Sequence, residues 1–231
     1  VRAAYFDVDG TLVRTNLIQP TVMYFANSQT PWETFKRIGG ALLDGPRMAL
    51  AELQDRRLFN EALFSHFKGM SEDRLIELSR EVFQSVVKPN LFRGATDLIL
   101  KTQDAGMRVV LITGSLDVTM FHLADHLNVP RADIIANRLE MKDGYATGKL
   151  MRPVVAGPGK AQLIVDDARG HGHDLALCQG YSDSYSDVPM LSVVGHPYCV
   201  HPDSKLRQLA HAYNWPILDI DTPARGMLGR H

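Results

Sequence analysis

The sequence predicts an α/β fold: a parallel sheet with helices on both faces, interrupted after its first strand by an all-helical insert. Three observations carry this. From residue 93 onward, strand-like and helix-like segments alternate, the pattern of βαβ units. Three segments end in polar clusters, Asp7/Asp9, Thr113/Ser115 and Asp183/Asp187, and open α/β sheets collect their ligands at the carboxyl ends of strands. Between about residues 15 and 87, apolar residues recur at helical spacing with no strand-like alternation.

Taken in order, Arg2-Ala3-Ala4-Tyr5-Phe6-Asp7-Val8-Asp9 is a short apolar run ending in acids before Gly10-Thr11, a buried strand feeding a loop. In the insert, Leu50, Leu53, Leu58, Leu63, Phe64 and Phe67 share helical spacing, as do Leu75, Leu78, Val82 and Val86. Ser71 followed by Glu72 and Asp73 marks a helix start. Lys88-Pro89-Asn90 breaks the pattern. A helix over residues 94–105, closed by Gly106, leads to a strand over 108–112 ending in Thr113-Gly114-Ser115. A second helix spans 116–127 and stops before Pro130. Residues 133–139 read as a strand, and Lys142-Asp143-Gly144-Tyr145 with Thr147-Gly148 as a small hairpin around a glycine turn. Residues 159–168 read as a helix and 174–179 as another buried strand, whose following loop carries Asp183 and Asp187. Residues 191–194 and 217–220 are weaker strand candidates.

Composition narrows the function classes. The 231 residues hold 25 Lys+Arg against 26 Asp+Glu, a net charge of −1, so no broad attraction to nucleic acid or anionic membrane is expected. With 45% hydrophobic residues the chain can bury a core as one large domain or two modest ones, and disorder is excluded. Cys178 and Cys199 are too few for a disulfide framework and read as reduced thiols. Apolar runs such as Val109-Val110-Leu111-Ile112 are far below the roughly 18 residues of a membrane span. Asp7 and Asp9 interrupt the early apolar stretch, so no secretory signal is visible and a cytoplasmic protein is expected. Because the sequence begins at Val1, an upstream targeting segment stays open, as does the oligomeric state.

Asp7-Val8-Asp9-Gly10-Thr11 places two carboxylates two residues apart at a strand end. Alone, this is also how a solvent-exposed turn reads. Three later segments join it: Leu111-Ile112-Thr113-Gly114, Gly157-Pro158-Gly159-Lys160-Ala161, and Gly180-Tyr181-Ser182-Asp183-Ser184-Tyr185-Ser186-Asp187. With these the chain resembles the haloacid dehalogenase superfamily of phosphohydrolases, whose motifs are Asp-x-Asp-x-Thr, a Ser or Thr after an apolar strand, a helix Lys, and an acidic pair, in that order. The helical insert matches that family's cap, and the Asp-Ser-x-Ser-Asp type of last motif resembles the phosphoserine-phosphatase-like branch. Two positions depart from that branch. Asn16 stands where those enzymes carry a Glu for the substrate ammonium, and Gly10 where they usually carry Ser.

The resemblance implies a Rossmann-like core at residues 1–14 and 93–231, a helical cap at 15–92, and hinges near Arg14 and Phe92-Arg93-Gly94. It implies Mg²⁺-dependent hydrolysis of a small phosphate monoester through an aspartyl-phosphate. Asp7 would be the nucleophile, already ionised and needing no activating base, and Asp9 the general acid and then base. Mg²⁺ would be held by Asp7, Asp183 and the Asp9 carbonyl, with Asp187 either reaching the ion through water or orienting Lys160. Lys160, Thr113 and Gly114 would bind the phosphoryl group, with Thr11 and Ser115 beside it. A phosphotransferase or mutase sharing the Asp7 chemistry, a dehalogenase, and a non-catalytic phosphate-binding module are the rivals; Asp9 argues against the dehalogenase.

Other features read as structural. His171-Gly172-His173 reads as a polar loop with Asp174 the only nearby acid, and His122 and His126 lack a metal-site motif. Val22-Met23-Tyr24-Phe25, Trp32 and Phe35 read as helix core, or as a cover for a bulky leaving group. Arg47, Arg56, Arg57 and Lys68 read as a solvated face, with steering of an anion the alternative, Trp215-Pro216 as core packing, and residues 224–231 as a fraying tail.

Overall fold

The computed structural model describes residues 2–27, 39–41, 43–45 and 55–221. Its strands are β1 Ala3–Phe6, β2 Arg108–Leu116, β3 Ile134–Asn137, β4 Leu139–Lys142, β5 Tyr145–Leu150, β6 Gln179–Ser182, β7 His196–Val200 and β8 Ile217–Leu218. Six of them form a parallel sheet in the order β3-β2-β1-β6-β7-β8, while β4 and β5 make a separate antiparallel hairpin. The central strand, β1, is fully buried along its length. Its side chains alternate between faces: Ala4 and Phe6 join Val109 and Leu111 in one core, Ala3 and Tyr5 join Val110 and Ile112 in the other. Each fully buried Leu, Ile or Phe contributes about 1.5–3 kcal/mol.

Helices cover both faces. The insert contributes α1 Ile18–Ala26, α2 Arg56–Ser65 and α3 Glu72–Val82. The remainder contributes α4 Ala95–Asp104, α5 Asp117–His126, α6 Gly159–His171, α7 Val188–Ser192 and α8 Ser204–Tyr213. Their starts follow local chemistry: Asp55, Ser71 and Asp203 accept from the Arg57, Arg74 and Leu206 amides. Glu72 and Asp73 lie at the positive end of α3.

Two expected strands are not strands. Over residues 174–179 the Asp174 side chain accepts from the Ala176 amide and caps a short 3-10 turn at Leu175–Leu177, so β6 begins only at Gln179. Residues 191–194 hold the end of a proline-started helix, α7, which buries Leu191, and its C-cap Val193; the true strand is β7, which the Gly195-His196-Pro197 sequence conceals. Strand β2 runs past 112 to Leu116 with a register irregularity between Thr113 and Leu116. Helix α6 runs past 168 to His171 and ends at Gly172 in the left-handed conformation. Leu50, Leu53, Trp32, Phe35, Arg47 and residues 224–231 lie outside the described residues.

The chain enters and leaves the insert along one path. Val13 and Leu91 form an antiparallel bridge. The Arg14 amide donates to Asn90 O at 2.8 Å and the Phe92 amide to Leu12 O at 2.9 Å. A second tie comes from the hairpin, where Gly69 and Ala146, Ala146 and Met70, and Glu72 and Gly144 are joined by backbone hydrogen bonds of 2.8–2.9 Å. Tyr24 of α1 adds a 2.6 Å hydrogen bond to Thr119 of α5. Cys178 and Cys199 are buried and unpaired. Among the described residues no helix is long and apolar enough to cross a membrane.

Candidate active site

The parallel register aligns Phe6 with Leu111 on one side and with Tyr181 on the other. Asp7, one residue further on, and Thr113 and Asp183, two residues further on, therefore lie together at the carboxyl edge. The turn after β1 is tight: the amides of Thr11, Leu12 and Val13 all point to Val8 O, and Gly10 takes φ +86°. That φ suits glycine, and a Cβ at Gly10 would lie 2.1 Å from Asp183 Oδ2. The departure at position 10 thus has a local reason, since Asp183 occupies the space a side chain would need.

Lys160, from the first turn of α6, is 4% exposed and donates to Asp7 Oδ1 at 2.6 Å and to Asp187 Oδ2 at 2.8 Å. Asp187 Oδ2 also accepts from Ser182 Oγ at 2.9 Å. The contact with Lys160, one of the two roles open for Asp187, is present. Thr11 Oγ1 lies 3.0 Å from Asp7 Oδ2 and 3.3 Å from Asp183 Oδ1, so both Asp7 oxygens are engaged and its orientation is fixed.

Asp9 points elsewhere. Its Oδ2 accepts from Thr113 Oγ1 at 3.0 Å and Ser115 Oγ at 2.8 Å, and the Ser115 amide donates to Thr113 Oγ1. Thr113 and Ser115 therefore hold the acid, while Gly114 between them lines the open cavity.

The electrostatics are those of too many acids in too little water. Burial, reinforced by the Asp187 and Asp9 charges and opposed by Lys160, raises Asp7 to about 6. Burial and the charges of Asp7 and Asp187 raise Asp183 to about 8. Asp9 is also raised by burial, against the hydrogen bonds from Ser115 and Thr113 and the charges of Lys160 and Arg56. Burial opposes the charged form of Lys160, but Asp187 and Asp7 outweigh it and push the ammonium upward. Asp187 Oδ1 is buried with no hydrogen-bond partner. An all-oxygen donor set with unbalanced negative charge and one orphaned carboxylate oxygen fits a hard divalent cation. The acids are spaced by Lys160 and Thr11 rather than closed on one point.

Above this floor is a cavity of about 320 Å³. Asp7, Asp9, Lys160 and Asp183 form its base, and Asn16, Leu17, Arg56, Phe59 and Asn60 reach it from the insert. Asn60, 4% exposed, donates to Val155 O at 3.3 Å, and its Nδ2 would be 3.1 Å from a Cβ at Gly114. Sequence reasoning passed over Asn60; a polar residue among Phe59, Leu63 and Phe64 on the buried face of α2 was the available signal. Arg56, read from sequence as part of a solvated face, faces the cavity, and its Nη1 donates to Ser186 Oγ at 2.9 Å. Asn16 lines the cavity while its Oδ1 accepts from the Ile18 and Gln19 amides.

Comparison with known proteins identifies relatives of the whole chain. A family model described as haloacid dehalogenase-like hydrolase matches residues 4–192. A putative hydrolase of Mycobacterium leprae is 31% identical over 225 residues, covering 95% of this chain and 73% of that protein. Phosphoserine phosphatase SerB1 of Mycobacterium tuberculosis is 31% identical over 223 residues, covering 94% of this chain and 70% of that protein. A solved structure of a Bordetella pertussis protein of unknown function superposes with a TM-score of 0.79 at 24% identity, covering 95% of this chain and 98% of that one.

Proposed function

The chain belongs to the haloacid dehalogenase-like hydrolases, and from that premise we propose that it is a Mg²⁺-dependent phosphatase that cleaves a small phosphate monoester through an aspartyl-phosphate on Asp7. The observation that carries this reading is the buried Lys160 ammonium, held by Asp7 and Asp187 at the base of a cavity on the sheet's carboxyl edge. A phosphoryl group entering there meets a fixed cation and a carboxylate locked at both oxygens.

In this reading Asp7 attacks phosphorus and displaces the leaving alkoxide. Asp9, whose pKa is raised by burial, delivers the proton that the alkoxide needs. Thr113 and Ser115 hold Asp9 toward that oxygen. Asp9, now ionised, then takes a proton from the water that hydrolyses the acyl phosphate and regenerates Asp7. Lys160 and the Gly114 amide neutralise charge on the phosphoryl oxygens, with Thr11 fixing Asp7. Asp7, Asp183 and the Asp9 carbonyl would hold Mg²⁺, which supplies the countercharge for a dianion beside two carboxylates. Asp187 serves chiefly through Lys160.

Residues 1–14 and 93–231 act as the catalytic core and 15–92 as a cap that closes on the substrate, with hinges near Arg14 and residues 92–94. The leaving-group side offers Asn16, Arg56 and Asn60, and among the described residues no carboxylate lines the cavity besides Asp7, Asp9 and Asp183. This is a poor setting for an ammonium and favours an ester other than phosphoserine, although several relatives carry that name.

The test is phosphate release from a panel of amino-acid, sugar and glycerol phosphates, nucleotides and lysophosphatidic acid, with and without Mg²⁺. Mg²⁺-dependent release from at least one ester, with phosphoserine not the best, is the expected result. Release that ignores Mg²⁺, or none from any ester, would overturn it.

A further inference from the structure

At the amino end of the same sheet, a second cluster of metal-ligating side chains lies outside the phosphoryl site. Arg108 opens β2, Tyr5 lies in β1, and Asp167 faces both from α6. His171 follows Asp167 by four residues and so projects from the same side of the helix. Gly172, at φ +65°, turns the chain back, and the His173 amide donates to Ala168 O at 2.8 Å. The rings of His171 and His173 end up nearly parallel, 13° apart in plane and 5.7 Å between centroids. The acid was invisible as a partner in sequence because it precedes the His-Gly-His run by a helical turn rather than adjoining it.

Among the described residues, Asp167, His171 and His173 are the one group of three such side chains whose ligand atoms all lie within 4.8 Å of one another. Asp167 Oδ1 and His171 Nδ1 are 3.2 Å apart, and that Nδ1 also donates to Asp167 O at 2.9 Å, a hydrogen bond that an ion bound there must displace. His173 Nδ1 is buried with no hydrogen-bond partner.

We propose that Asp167, His171 and His173 form a second metal site, for a transition cation of the Zn²⁺ class rather than Mg²⁺. Two imidazoles with one carboxylate suit a borderline ion, whereas Mg²⁺ selects oxygen. Arg108 is the competitor. It lies 2.7 Å from Asp167 Oδ2, 3.2 Å from Oδ1 and 3.4 Å from His173 Nε2. It can yield Oδ1 to an ion and keep Oδ2, because it retains Asp133 at 2.8 Å, while the Tyr5 hydroxyl continues to donate to Oδ2. The competition sets a modest affinity. Since α6 carries Lys160 at its other end, an ion here ties that helix to the bases of β1 and β2 and acts on stability, not turnover.

The test is calorimetric Zn²⁺ titration of chelator-stripped protein in saturating Mg²⁺, which masks the oxygen site, beside His171→Ala and His173→Ala. The His171 side chain is 50% exposed, so its removal leaves the core intact, and Mg²⁺-dependent phosphate release serves as the check on folding. The expected result is one Zn²⁺ per chain, weakened at least ~10-fold by either substitution, with a Zn²⁺-induced rise in Tm that both variants lose. Equal Zn²⁺ affinity in wild type and variants, or no Zn²⁺ binding by wild type, would overturn it.

Discussion

The two ends of the central sheet solve the problem of buried charge in opposite ways. At the amino end, Arg108 is 17% exposed and answered by Asp133 and Asp167 at 2.8 and 2.7 Å. Burial would raise Asp167, yet its hydrogen bonds from Arg108 and Tyr5 and the Arg108 charge outweigh it, and the carboxyl stays below its usual value. At the carboxyl end, Asp7, Asp9, Asp183 and Asp187 face one described buried cation, Lys160, and the first three are pushed upward. The same strands, β1 and β2, run through both. One end is balanced and serves stability; the other is left unbalanced, the state that the proposed phosphate ester and divalent cation would complete.

The largest effect should come from breaking the unbalanced end. Asp7→Asn should reduce phosphate release by about 10⁴-fold or more, with the folded state retained by circular dichroism. Breaking the balanced end should do the reverse. Arg108→Met removes the guanidinium shared by two largely buried carboxylates and should cost about 2–4 kcal/mol in denaturant unfolding, while activity in the folded protein stays within about threefold.

The pH dependence separates the ends next. Below about pH 4, Asp7 and Asp183 are protonated in folded and unfolded chains alike and impose no cost. As pH rises to about 8 the unfolded chain ionises first, because the folded values are about 6 and about 8. The folded protein then binds more protons, so its stability falls over that window. Mg²⁺ should flatten this slope, as measured by Tm across pH with and without the ion. Asp167, with its lowered value, has the opposite sign: its contribution is present above the ordinary carboxylate pKa and is lost in acid. The smallest effect is expected at the cavity wall, where Asn60→Ala should raise KM by about 3–10-fold with little change in Tm.

Legibility in the sequence followed the same division. The carboxyl end was readable because its acids sit directly after apolar strands, so strand-end position alone grouped Asp7, Asp9, Thr113 and Asp183. Cavity-wall residues were harder. Arg56 reads as surface on any helical wheel, and only the approach of α2 to Gly114 turns it and Asn60 inward. The Arg108 network was not readable at all, since its members at 108, 133 and 167 come from three elements joined only by tertiary packing. Strand errors had local causes: the Asp174 cap and the Pro189 helix start override the apolar content of residues 174–179 and 191–194.

The most direct measurement of the central claim is acid quenching of the enzyme during turnover of its best ester, followed by mass spectrometry of the peptide containing Asp7. One phosphoryl group on Asp7, absent in Asp7→Asn and released by hydroxylamine as an acyl phosphate is, is the predicted result. Turnover with no phosphoryl group on Asp7, or persistence of full turnover in Asp7→Asn, would contradict it.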